Sequence, residues 1–161
     1  MSDLTHLNAQ GEAQMVDISA KAESLRTAIA QAEVSMLPAL INTLATLPKG
    51  DAFACARIAG IMAAKKTAEL IPLCHPIALS KIDIQFELHP ATGKVTIRAL
   101  CRVSGATGVE MEALTAVSIA ALTIHDMVKA ADPTVQINRL HLVEKIGGKS
   151  GHWRRDESVS C

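Results

Sequence analysis

The sequence is poor in aromatic residues and carries no net charge. Of its 161 residues only 2% are aromatic, with two Phe, one Trp and no Tyr. The 16 basic side chains are balanced by 16 acidic ones. Nucleic-acid and membrane-surface proteins gain affinity from excess positive charge, and base-stacking platforms are built from aromatic rings. The composition therefore argues against both classes of protein.

Paired cysteines and long apolar runs are also missing. The four cysteines, Cys55, Cys74, Cys101 and Cys161, form no CxxC pair. No apolar run reaches the roughly 18 residues that a membrane span requires, and the first residues resemble no secretory leader. We therefore expect a cytoplasmic protein with reduced thiols that binds neither nucleic acid nor membrane.

Small and aliphatic side chains dominate what is present. Hydrophobic residues make up 49% of the chain. A chain of this length buries roughly 70% of its unfolded surface, so it needs no disulfide or metal to fold. No internal repeat or linker divides the sequence. We expect a flexible N-terminal segment at 1–14, a single α+β domain at 15–146, and a Gly-rich loop with a charged tail at 147–161.

Hydrophobic periodicity predicts helices packed on a mostly antiparallel sheet. Residues 25–36 are ambiguous, because their period-two pattern fits a strand while their alanine content favours a helix. The other elements follow from amphipathic spacing, caps and turn residues. In chain order they are an extended segment at 15–18, a helix at 37–47 with Pro38 in its first turn, a helix from Asp51 to about Leu70, a β-hairpin at 80–104, a long buried helix at 109–131 and a strand at 135–144.

Polar residues stand out at both ends of the long helix. Asp126 and Lys129 are i, i+3 neighbours, and a carboxylate beside an ammonium keeps both groups charged. An ordinary helix-end ion pair explains the same spacing. Glu112 shares the face of Asp126 but lies about 21 Å from it along the helix axis. One small ligand cannot easily touch both within one chain, so a site that uses both needs a second subunit.

A second candidate segment is held between Pro72 and Pro76. His75 there has a restricted backbone and could serve a site, although a lone histidine after a helix is more often structural. Cys74 fits a metal ligand, a nucleophile or a small buried hydrophobe. No second Cys or His stands at ligand spacing, so we predict no metal site.

Basic residues near glycines form a third group. Lys49 lies in a Pro-Lys-Gly-Asp turn, where it is either a held functional group or a solvated loop lysine. The loop at 147–151 is not a P-loop, because Val143 occupies the position of the first glycine. Its amides, with Lys145 and Lys149, either wrap a phosphate or belong to a frayed tail. Solvated surface charge accounts for Lys65, Lys66, Arg154 and Arg155.

Seven motifs, in the same order, resemble the cyclic pyranopterin monophosphate synthase family, that of molybdenum cofactor biosynthesis protein C. They are residues 15–21 (MVDISAK), 49–51 (KGD), 56–61 (ARIAGI), 70–76 (LIPLCHP), 107–114 (TGVEMEAL), 123–129 (TIHDMVK) and 147–151 (GGKSG). The resemblance extends from about residue 5 to 153. The chain departs from the family pattern at His125, where Tyr is common, and at Val128, where Cys is frequent.

The resemblance implies a fold, an assembly and a reaction. The subunit would be ferredoxin-like, and it would form a homohexamer, a trimer of dimers, with active sites at subunit interfaces. The reaction would be that of a lyase: 3′,8-cyclo-7,8-dihydroguanosine triphosphate, made from GTP by a radical-SAM partner enzyme, becomes cyclic pyranopterin monophosphate with release of pyrophosphate. No resident cofactor is implied, and a divalent cation such as Mg²⁺ would enter only with the triphosphate. A non-catalytic binding or scaffold protein of the same pathway is the alternative.

The resemblance also implies roles for eleven residues. Asp126 would be the catalytic carboxylate, with Lys49 and Lys129 as acid/base lysines. The substrate-contacting residues would be Leu73, Cys74, His75, Met111 and Glu112, with Arg26, Lys145 and Lys149 as candidates for the triphosphate.

Overall fold

A β-α-β-β-α-β order builds one antiparallel sheet with its helices on one face. The computed structural model describes residues 7–8, 10–149 and 151–156. Its elements are β1 (Ser24–Ser35), α1 (Pro38–Ile41), α2 (Ala52–Lys65), α3 (Thr67–Leu70), β2 (Lys81–His89), β3 (Lys94–Gly105), α4 (Glu110–Val128), β4 (Gln136–Ile146) and β5 (His152–Arg154), with 3₁₀ turns at Leu44–Thr46 and Pro90–Thr92.

The strand order is β2-β3-β1-β4-β5, and every neighbouring pair is antiparallel. Each of the two long helices crosses over between strands that are not neighbours: α2 connects β1 to β2, and α4 connects β3 to β4. This is the ferredoxin-like arrangement, with β5 added at one edge. The prediction of an α+β fold with an antiparallel sheet is confirmed.

The ambiguous segment at 25–36 is the central strand β1. Ala28, Ala30, Ala32 and Val34 all face the core and are at most 1% exposed. The helix propensity of alanine is overruled because β1 pairs with β3 on one side and with β4 on the other, and these pairings satisfy most of its backbone groups. The small side chains let α4 pack close to the sheet.

The long helix α4 is the core helix of the fold. It is long and apolar enough to cross a membrane by length and composition, with a mean hydropathy of 1.3. In the fold, however, its buried face packs against β1 and β3, and α2 lies alongside it. The two helices lie close together at Gly60 of α2, where an added Cβ would lie 2.8 Å from the Ala116 carbonyl oxygen and 2.5 Å from Ile84 Cδ1.

Two helix predictions need correction. Residues 37–47 do not form one helix: α1 is a single turn, followed by a separate 3₁₀ turn. The Thr43 and Thr46 hydroxyls bond to carbonyls three residues earlier, and such side-chain bonds compete with a regular helix. The helix from Asp51 breaks at Lys66, where Thr67 caps carbonyls of the preceding turn. Asp51 is its N-cap, as predicted, and accepts from the amides of Phe53 and Ala54.

The hairpin at 80–104, the long helix and the strand at 135–144 are confirmed, with shifts of a few residues at their ends. The segment at 15–18 is not part of any strand. The predicted C-terminal loop and tail contains a strand that the sequence did not suggest, since β5 pairs with the end of β4. Ser150 of the 147–151 motif and Cys161 lie outside the described residues, as do residues 1–6 and 9 of the predicted N-terminal segment.

Candidate active site

The three predicted catalytic side chains meet at the C-terminal end of α4. Lys129 Nζ lies 2.7 Å from Asp126 Oδ1, and Lys49 Nζ lies 3.5 Å from Asp126 Oδ2. Lys49 also donates to the Asp126 backbone carbonyl at 3.0 Å. The sequence predicted the Asp126–Lys129 contact from helical spacing, and the fold adds a lysine from 77 residues away. We call these three residues the lysine–aspartate cluster.

The backbone around Lys49 holds the cluster together. The turn that precedes α2 closes through a hydrogen bond from the Gly50 amide to the Leu47 carbonyl at 2.8 Å, with Gly50 at φ 105°. A positive φ of this kind favours glycine. The Asp51 cap then fixes the start of α2. Lys49 is therefore placed by a fixed turn rather than a mobile loop, and it lies beside carbonyls at the negative end of α4.

The electrostatics of the cluster keep its carboxylate ionised. The hydrogen bond from Lys129 holds the pKa of Asp126 below its usual range, and the charges of Lys129 and Lys49 lower that pKa further. The side chains remain about half exposed, at 49%, 57% and 55% for Lys49, Asp126 and Lys129. The cluster thus presents two ammonium groups and one carboxylate to an incoming molecule.

A cleft of about 250 Å³ lies at the other end of α4. All five residues expected to contact the substrate line it: Leu73, Cys74, His75, Met111 and Glu112. The His75 ring is oriented by a hydrogen bond from Nε2 to the Val16 carbonyl at 2.7 Å, so Nε2 carries the proton. The segment at 15–18 therefore acts as a support for this histidine.

Glu112 is a buried carboxyl in the wall of this cleft. It is 3% exposed, and burial raises its pKa to about 7. Burial, with a smaller effect from Glu112, also raises the pKa of the Cys74 thiol and raises that of Cys101 to about 12. Both thiols therefore stay protonated at neutral pH, which disfavours Cys74 as a nucleophile or a metal ligand.

A smaller basic cleft of about 70 Å³ adjoins the first. It is lined by Arg26, Lys145 and Lys149, the three predicted triphosphate ligands. Arg26 Nε donates to the Gly105 carbonyl at 2.9 Å, and Lys145 Nζ lies 3.4 Å from Glu110 Oε1. Three cations face one carboxylate here, so the cleft favours an anion.

Sequence reasoning missed two charged residues of these clefts, Glu110 and Lys21. Glu110 lines both clefts, together with Gly108, and Lys21 lines the larger one. Both residues belong to motifs that carry the family resemblance. Their spacing in the sequence, however, does not indicate contacts with residues that are distant in the chain. The Lys145–Glu110 ion pair joins β4 to the first turn of α4, and only the fold brings these together.

The two parts of the candidate site are far apart within one chain. Fourteen residues of α4 separate Glu112 from Asp126, a distance of about 21 Å along the helix axis. Of the clefts described above, neither includes a residue of the lysine–aspartate cluster. The separation expected from the sequence is therefore present in the fold.

Within the described ranges, no three His, Cys, Asp or Glu side chains converge as a metal site would require. That a divalent cation enters only with the triphosphate of the substrate stays a prediction.

Comparison with known families adds an independent finding to this geometry. A model of the MoaC family matches residues 15–148, which is well over half of the chain. The matched range includes the whole lysine–aspartate cluster, the larger cleft, and Arg26 and Lys145 of the smaller one. The chain belongs to the MoaC family, whose role is in molybdenum cofactor biosynthesis.

Proposed function

We propose that this protein is a cytoplasmic cyclic pyranopterin monophosphate synthase. It converts 3′,8-cyclo-7,8-dihydroguanosine triphosphate, supplied by a radical-SAM GTP cyclase, to cyclic pyranopterin monophosphate and pyrophosphate. The observation that carries the proposal is the lysine–aspartate cluster, in which Lys49 and Lys129 contact one ionised carboxylate, Asp126.

The cluster supplies the proton transfers of the ring rearrangement. The purine-derived ring is opened by water and closed again as a pyranopterin, and each step needs a proton to be moved to or from nitrogen or oxygen. An ammonium is a general acid, and its neutral form is a general base. Asp126 holds the two lysines at fixed positions, so that one can donate a proton while the other accepts one.

The basic cleft supplies the charge for the phosphoryl step. A sugar hydroxyl attacks the α-phosphorus, the new P–O bond closes the cyclic phosphate, and pyrophosphate departs with the electrons of the broken P–O bond. Arg26, Lys145 and Lys149 stabilise the charge that builds up on the leaving group. A Mg²⁺ ion that accompanies the triphosphate would share this task, held by phosphate oxygens and water.

The larger cleft recognises the guanine-derived ring. Its volume of about 250 Å³ suits a bicyclic ring system, and its wall carries His75 and Glu112. In its ionised form, Glu112 can accept two hydrogen bonds from a pair of N–H groups on the ring. This geometry favours guanine derivatives. Leu73, Cys74 and Met111 provide the apolar contacts that surround these two polar groups.

A complete site needs a second copy of the chain. Ring recognition lies at the N-terminal end of α4 and the lysine–aspartate cluster at its C-terminal end, about 21 Å away. We therefore propose that the cluster of one subunit closes the clefts of another, within a homohexamer built as a trimer of dimers.

Conversion of the cyclic triphosphate tests the proposed function. Pyrophosphate and the pterin product are measured together, for the wild type and for Lys49→Ala. We expect the wild type to release both products in equal amounts and the variant to release neither. Binding of the substrate by the wild type without either product would show a carrier or scaffold protein instead.

A further inference from the structure

Lys145 and Lys149, the proposed phosphate ligands, belong to a hairpin whose second strand is weakly held. The hairpin consists of β4, the loop residues 147–149 and 151, and β5. In the part of the hairpin that the structure describes, three residue pairs join the strands, including Lys145 opposite Trp153 and Ile146 opposite His152. All three residues of β5 are exposed. A strand so short and so exposed has little intrinsic stability at a sheet edge.

Further hydrogen bonds compensate at both ends of β5. His152 Nε2 lies 2.5 Å from Glu144 Oε1, and the Glu144 carboxylate is only 18% exposed. Beyond the strand, the Arg155 backbone amide donates to the Val143 carbonyl at 2.8 Å, and its Nε donates to the Leu142 carbonyl at 2.9 Å. Of these side-chain contacts the His152–Glu144 pair is nearest to the loop, whose two ends are joined by the Gly147 amide donating to the Gly151 carbonyl at 2.9 Å.

The position of the loop determines the shape of the basic cleft. A Cβ on Gly148 would lie 2.3 Å from Arg26 Nη1, so the bare backbone of this residue packs directly on the Arg26 guanidinium. A Cβ on Gly147 would lie 2.3 Å from the Leu25 carbonyl oxygen. The loop thus rests on β1, and it cannot shift without changing the surroundings of Arg26 and the place of Lys149.

We propose that the His152–Glu144 pair is a clamp that positions the basic cleft for phosphate. The pair anchors β5 on β4, which holds the loop against Arg26 and keeps Lys149 beside Lys145. His152 and Glu144 are positioning residues in this account, since neither lines the cleft. The proposal rests on the proposed function for its natural ligand, a triphosphate ester, but its test uses inorganic tripolyphosphate.

The sole tryptophan of the chain reports the position of β5 directly. Trp153 is 38% exposed, and the Arg155 guanidinium lies 5.9 Å from its ring centre. We expect His152→Ala to increase quenching of Trp153 fluorescence by acrylamide, while His152→Gln, which can still donate to Glu144, restores the wild-type value. Lys94→Ala is the matched control, because it removes the cation from Glu33, a 12% exposed carboxylate at the other end of the sheet.

Affinity for tripolyphosphate, measured by calorimetry, then tests the consequence for the cleft. We expect His152→Ala to raise the Kd about fivefold, a loss typical of one charged hydrogen bond that is partly exposed. His152→Gln should recover most of the lost affinity, and Lys94→Ala should have the same Kd as the wild type. Lys149→Ala should also weaken binding of tripolyphosphate. This result would show that the probe occupies the basic cleft.

Three results with the variants at position 152 would overturn the clamp. They are an unchanged Kd in His152→Ala, a Gln variant as weak as the Ala variant, and Trp153 quenching that no substitution at 152 alters. Failure of Lys149→Ala to weaken binding would overturn it as well, because the cleft would then not hold phosphate. A wild type that binds tripolyphosphate as expected but forms no pterin product would contradict the synthase proposal and leave the clamp supported.

Discussion

At the scale of single residues, Asp126 organises the lysine–aspartate cluster, since both ammonium groups contact its side chain. Replacing it by Asn keeps the shape but removes the charge that holds Lys49 and Lys129 in place. We expect Asp126→Asn to lower kcat by a factor of about 100 or more, with a smaller change in KM. Steady-state kinetics of substrate conversion measures both constants.

The control for this substitution is Asp83→Asn, which removes a carboxylate from β2, outside the cluster and the two clefts. Both variants should fold like the wild type, because Asp126 is 57% exposed and contributes little to the core. A kcat of Asp126→Asn within a few-fold of the wild type would remove the carboxylate from the proposed mechanism.

The raised pKa of Glu112 predicts that the free energy of unfolding depends on pH. Its pKa is about 7 in the fold and near the ordinary value of 4.5 in the unfolded chain. Between these values the folded state keeps a proton that the unfolded state has released, so rising pH favours unfolding. We expect the wild type to lose at most roughly 3 kcal/mol of stability between pH 4.5 and 7 relative to Glu112→Gln.

Urea unfolding at several pH values measures this difference. Glu69→Gln, at an exposed position on α3, is the control and should run parallel to the wild type. If the curves of the wild type and Glu112→Gln stay parallel from pH 4.5 to 8, the carboxyl of Glu112 is not desolvated as described.

Residue contacts could be predicted only where helical spacing relates them. Asp126 and Lys129 are three residues apart on α4, so their contact follows from the sequence. The contact between Lys49 and Asp126 depends on how the turn before α2 meets the end of α4. Likewise, burial of Glu112 depends on packing. The roles of these residues came from the family resemblance, and their juxtaposition came from the fold.

At the scale of elements, the approach of α2 to α4 depends on one glycine. A methyl group at position 60 would contact the Ala116 carbonyl oxygen and Ile84, both of which belong to well-packed elements. We expect Gly60→Ala to destabilise the fold by about 1–3 kcal/mol, despite the higher helix propensity of alanine. Thermal or urea unfolding checks this.

The exposed face of the same helix provides the comparison. Ile58 is 61% exposed, so Ile58→Ala should change stability by no more than about 0.5 kcal/mol. A Gly60→Ala variant as stable as the wild type would mean that the two helices have room to separate.

Elements with a clear hydrophobic period were predictable, and elements set by neighbours were not. The hairpin at 80–104 alternates strictly and was correctly predicted. By contrast, the sequence of β1 is equally compatible with a helix and with a strand, and only its two partner strands decide between them. The strand β5 has no apolar pattern. Its position depends on pairing with β4 and on the His152–Glu144 contact, and not on the burial of apolar side chains. The helix expected at 37–47 has the right spacing, but threonine side chains interrupt it.

At the scale of the whole molecule, α4 separates the two halves of the proposed site. The larger cleft lies at one end of this helix and the lysine–aspartate cluster at the other. Along its outer surface Met111 and Leu122 are 38% and 53% exposed. A second copy packed across this surface with two-fold symmetry would bring opposite ends of the two helices together and complete two equivalent sites.

Mixing two inactive variants tests this account most directly. Lys49→Ala disables the cluster and His75→Ala disables the cleft, so each alone should be inactive. After unfolding and joint refolding of equal amounts, half of the two-fold pairs contain one subunit of each kind, and one of the two sites in such a pair is intact. The account predicts that synthase activity returns to about a quarter of the wild-type value. A refolded mixture as inactive as either variant alone would show that each subunit must supply both halves of its own site, and would contradict the shared site.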